Sequence, residues 1–146
     1  MIEPIADQSE LAPVRAGEEH PSATWTQRLV LFLRVMAVLS MLKGLRHWAA
    51  VCGFGLAPEG GFEAQTLPWQ AATVFFAVID LVAAVGLWLS APWGAVVWLT
   101  AAVSMIVVEV FFPLIYGDLV TVLLLEPAAI IAYLVLAILA AREQPQ

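Results

Sequence analysis

The stretch that decides the fold is LVLFLRVMAVLSMLKGLRHWAAVCGF, residues 29–54. It is apolar enough to enter a bilayer, yet it carries Arg34, Lys43, Arg46 and His47. An unpaired charge at the bilayer centre costs about 2.5–3.5 kcal/mol on insertion scales. Cations placed that deep need partners. Three later apolar stretches each hold one acid: Asp80, Glu109 and Glu126.

About 20 apolar residues, rising about 1.5 Å each, cross a hydrocarbon core. On that measure the first span covers 29–51. Gly53, Gly55, Pro58, Gly60 and Gly61 then mark a loop, closed by Pro68 and Trp69. A second span covers 70–89. The segment Ser90-Ala91-Pro92-Trp93-Gly94 is a turn so tight that it forces an antiparallel helical hairpin. The third span covers 95–112 and stops at Pro113, with Tyr116-Gly117-Asp118 as the next turn. The fourth covers 119–141 and has two readings. It is one continuous helix, or it begins at Pro127, which suits a first helical position but leaves a short crossing. The continuous helix is preferred, because neighbouring groups re-satisfy the carbonyl that an internal proline frees. The expected fold is all-α: an integral membrane four-helix bundle over 25–142.

Residues 1–24 hold Glu3, Asp7, Glu10, Glu18 and Glu19 against Arg15 alone, with three prolines and no apolar run. They read as a disordered acidic tail on the cytoplasmic side. The basic start and apolar middle of a signal peptide are missing, so no cleavage is expected. The chain has 146 residues, 62% hydrophobic, and a net charge of −6. It has no basic patch, which excludes nucleic acid as an expected partner. The expected partners are the lipid bilayer and a membrane protein or a second copy. A single cysteine, Cys52, excludes an internal disulfide and a cysteine-cluster metal site.

Arg15, Arg28, Arg34 and Arg142 all lie at the two ends of the chain, and both longer turns contain acids and no bases. The positive-inside rule therefore places both termini in the cytoplasm. Trp25, Trp88 and Trp93 then fall at the inner interface, and Trp48, Trp69 and Tyr116 at the outer one. Lys43 and Arg46 oppose this orientation unless they are paired inside the protein.

Helix rise gives their depth from the outer ends of the spans. Lys43 lies about 12 Å in, Arg46 about 8 Å, His47 about 6 Å, Asp80 about 15 Å, Glu109 about 6–9 Å and Glu126 about 10 Å. Four separate stretches thus place ionisable groups at one level. Lys43, Arg46 and His47 share a helix face through i, i+3, i+4 spacing. The expected site is an intramembrane ionic cluster of Lys43, Arg46, His47, Asp80, Glu109 and Glu126. Asp80 and Glu109, on spans joined as a hairpin, are expected to neutralise the two cations. One carboxylate is in excess; it is protonated or faces His47. Two uses stand open: ion pairs that only fix helix register, or a polar site facing outward for a substrate, a quinone headgroup or protons.

No His-x-x-x-His or Glu-x-x-His pair supports a metal site, and no cofactor is expected. Nucleophile–base sets, phosphate loops and dinucleotide fingerprints are missing too, so no catalytic residue is assigned and an enzyme is not the expected class.

The segments LRVMAVLSMLKGLRHW (33–48) and FAVIDLVAAVGLWLSAPWGAVVWLTAAVSMIVVEVFFPLIYG (76–117) resemble a family of small, uncharacterised bacterial four-span proteins. More distantly they are similar to the DoxX-like group. Arg34, Gly44 with Arg46, Asp80, and Gly86-Leu87 stand where that group has its recurrent residues; the acidic tail and Glu109 depart from it. The resemblance implies association with membrane oxidoreductase or quinone-linked complexes and carries over no catalytic residue. The expected role is a non-catalytic accessory or structural subunit, with a small proton-linked transporter or a quinone-associated redox component as alternatives.

Overall fold

A computed structural model describes residues 24–55, 60–113 and 119–143. Four α-helices account for most of them: α1 (Thr24–Val51), α2 (Leu67–Trp88), α3 (Pro92–Phe111) and α4 (Leu119–Glu143). A short 3-10 turn, Phe62–Ala64, precedes α2, and no strand occurs among the described residues. The acidic tail through residue 23, Pro58 and Glu59 of the first loop, and the turn Tyr116-Gly117-Asp118 lie outside the described residues.

The helix limits follow from local chemistry. α1 runs 28 residues, about 42 Å of rise. It ends where Gly53 takes φ 82°, a left-handed conformation that costs glycine little. The Phe54 N–H then bonds the Ala49 carbonyl at 2.8 Å and the Gly53 N–H bonds Ala50 at 3.0 Å, the double closure of a Schellman cap. Pro68 and Pro92 both sit in first turns of helices. Their missing N–H groups have no partner to lose there, so α2 and α3 begin about one turn before the expected 70 and 95. α4 continues through Pro127 without a break, as one unit of 25 residues.

The α2–α3 turn repeats the closure of α1 with a serine at the left-handed position. Ser90 has φ 52°, the Ala91 N–H bonds Gly86 at 3.0 Å, and the Ser90 N–H bonds Leu87 at 2.9 Å. Directly below, α2 and α3 cross with backbones nearly touching. A Cβ placed on Gly94 would lie 2.6 Å from the Gly86 Cα.

Packing follows chain order: α1 on α2, α2 on α3, α3 on α4, with α4 closing back on α1. α1 turns one stripe inward, Leu33, Ala37, Ser40 and Gly44, at helical spacing. Leu33 and Ala37 join Ala83, Leu87 and Trp98 in the apolar core. The Trp98 ring meets Phe32 and Tyr133 edge-on at 6.3 and 5.8 Å. Outward, long rows of Leu, Val, Ile and Phe remain exposed on every helix. α2, α3 and α4 from Val122 are long and apolar enough to cross a membrane; α1, with four basic residues, is not in that set.

Candidate functional site

Towards the C-terminal end of α1 the packing opens. A cavity of about 980 Å³ lies between α1, α3 and α4, with Trp69 of α2 and Phe54 also on its wall. Its volume falls near the upper end for small-molecule sites. The i, i+3, i+4 spacing brings Lys43, Arg46 and His47 of α1 to it, and Glu109 of α3 and Glu126 of α4 also line it.

The polar geometry is specific. Lys43 Nζ donates to Glu126 Oε1 at 2.6 Å, tying α1 to α4. Both side chains are partly enclosed, 34% and 14% exposed, so the pair sits between a solvated bridge of little worth and a dry one. His47 packs its ring on Phe76 of α2, centroids 5.8 Å apart. Glu109 is 1% exposed.

Asp80 is also 1% exposed but is not part of the cavity wall. It lies within Coulombic reach of both Lys43 and Glu126, and its Oδ2 finds no hydrogen-bond partner among the described residues. The direct partner of Lys43 is therefore Glu126 and not the expected Asp80 or Glu109. Helix rise fixes depth along an axis, but not which way a side chain faces around it. The closure of α4 on α1 decides that, and depth alone does not contain it.

Two of the other α1 cations have aromatic partners. The Arg28 guanidinium lies 4.6 Å from the Trp25 ring centroid, and that of Arg34 lies 6.0 Å from the ring of Trp88. Arg46 is exposed on the cavity wall, and no carboxylate pairs with it among the described residues.

Some wall residues carry no chemical signal in the sequence. Met36, Trp98 and Met105 line the apolar end of the cavity, although methionines within apolar spans read as core filler. The one available pointer is the stripe Met36, Ser40, Lys43, His47, which continues the inward face of α1 into its polar half. Among the described residues no three His, Cys, Asp or Glu side chains gather as a metal site.

A model of the family of unknown function DUF6163 matches residues 27–144. The chain belongs to this family. The match covers nearly all of α1 and the whole of α2, α3 and α4. It makes no connection to the DoxX-like group, and its description assigns no activity. No curated protein and no solved structure matches the chain.

Proposed function

We propose that this chain is an integral inner-membrane protein with four spans, both termini cytoplasmic, acting as a non-catalytic accessory or structural subunit. The observation that carries the reading is the Lys43–Glu126 bridge at 2.6 Å. Among the described residues α1 is the one long helix outside the clearly apolar set, and the bridge answers its deepest cation from α4. Arg28 and Arg34 lie nearer the start of α1, on tryptophan rings, where long basic side chains reach headgroups. With those three cations accommodated, α1 crosses beside its neighbours as a four-helix bundle. Exposed Leu, Val and Phe rows then face lipid, a second copy or a larger membrane complex. Extraction in mild detergent after cross-linking tests the role: an accessory subunit comes out attached to a membrane partner. A monomer that cross-links to nothing contradicts it.

The cavity favours a second reading, a small proton-linked carrier, because ionisable side chains line a volume large enough to hold a solute. Vesicles reconstituted with the protein would show solute-dependent proton flux above that of empty vesicles; equal flux removes this reading. A quinone-associated component rests on the DoxX-like resemblance alone. Organic extraction of the purified protein that yields no quinone removes it.

A further inference from the structure

Of the four cations on α1, Arg28 and Arg34 lie on tryptophan rings and Lys43 is bound to Glu126. Arg46 lines the cavity without a carboxylate partner among the described residues. A guanidinium is a planar fork of donors that matches a carboxylate or a phosphate. From Arg46 back to Met36 the cavity wall follows α1 for about 15 Å. Towards that end it turns apolar, through Leu39, Met36, Met105 and Trp98. Of the acids on the wall, Glu126 is already compensated by Lys43. A charged end and an apolar end in one elongated space fit a molecule built the same way.

We infer that the cavity binds an anionic amphiphile, its carboxylate or phosphate on Arg46 and its hydrocarbon chain along Met36, Leu39 and Met105. The inference rests on the membrane reading above, since a bilayer is where such molecules reach this wall. The shared chemistry has two sources, a free long-chain carboxylate or an anionic phospholipid headgroup.

The test uses the full chain in phosphatidylcholine nanodiscs. Trp98 and Trp69 line the cavity, so bromine atoms on a bound chain quench tryptophan emission. Dibromostearate and brominated phosphatidylglycerol are titrated, with brominated phosphatidylcholine as the uncharged-overall control. Saturable quenching by either anionic probe supports the site, and the probe that saturates first names the source. Arg46→Gln is expected to weaken that binding about tenfold, the worth of one hydrogen bond to a charged group, while Arg46→Lys retains more of it. Leu39→Phe with Leu125→Phe narrows the cavity and should weaken binding with Arg46 intact, which keeps the test decisive if Arg46→Gln does not fold. Quenching that is equal for all three probes and unchanged in these variants overturns the inference, as does the lack of any saturable quenching. An alkaline carbonate wash of native membranes separates the two levels. Protein that stays in the pellet but binds no probe overturns this inference alone; protein that washes off overturns the membrane reading beneath it.

Discussion

At the scale of single residues, the Lys43–Glu126 bridge does most to explain how a basic helix joins three apolar ones. Its partners are partly enclosed, so removing either leaves a charge that is poorly hydrated and unanswered. Lys43→Met or Glu126→Gln should each cost about 1–3 kcal/mol, between the values for exposed and dry pairs. The double variant should recover part of that, with a coupling of about 0.5–3 kcal/mol. Melting of the four forms in detergent measures it, and strictly additive losses would remove the bridge from the explanation. Asp80→Asn should couple to Lys43 more weakly, because Asp80 reaches it through space and not by a bond.

At the scale of elements, two contacts set how the helices meet. The α2–α3 crossing depends on Gly86 and Gly94, where an added methyl group meets backbone. Gly94→Ala should therefore cost about 1–3 kcal/mol by overpacking. Gly44→Ala should cost less, since its closest contacts are the Leu81 side-chain atoms Cγ and Cδ2, at 2.8 and 2.9 Å, with backbone no nearer than the Leu81 N at 3.2 Å. Comparable melting shifts for the two would contradict that ranking. At the other end of the molecule, Glu143 of α4 accepts hydrogen bonds from the Trp25 N–H at 3.0 Å and the Thr26 N–H at 3.2 Å. A carboxylate supplied from α4 thus caps the start of α1, where free N–H groups and the helix dipole favour negative charge. Glu143→Gln should speed amide exchange at Trp25 and Thr26 and leave Ala83 and Leu87 unchanged; equal exchange would show that the cap holds nothing. The helices themselves were legible in the sequence because apolar runs, Gly53 and Pro113 punctuate them. Their starts were less so, because Pro68 and Pro92 read equally as loop ends and as first-turn residues. Partner choice was not legible at all: Asp80, Glu109 and Glu126 share a depth, and only the packing order of the helices tells Lys43 which one it faces.

At the scale of the whole molecule, everything proposed depends on α1 crossing the bilayer despite its four cations. The chain carries a convenient reporter, its single cysteine, which is exposed just past the end of α1. If α1 crosses with the N-terminus inside, Cys52 faces the outside of the membrane. A second site, Arg142→Cys in a Cys52→Ser background, then faces the cytoplasm, because four crossings return the chain to its starting side. The most direct measurement is labelling of these two cysteines by a membrane-impermeant maleimide, in spheroplasts and in inverted vesicles. Cys52 should label in spheroplasts and be protected in inverted vesicles, and the cysteine at position 142 should do the reverse. The reverse pattern, Cys52 on the cytoplasmic side and position 142 outside, would contradict the account: three crossings by α2, α3 and α4 alone give it, and α1 would not be a span.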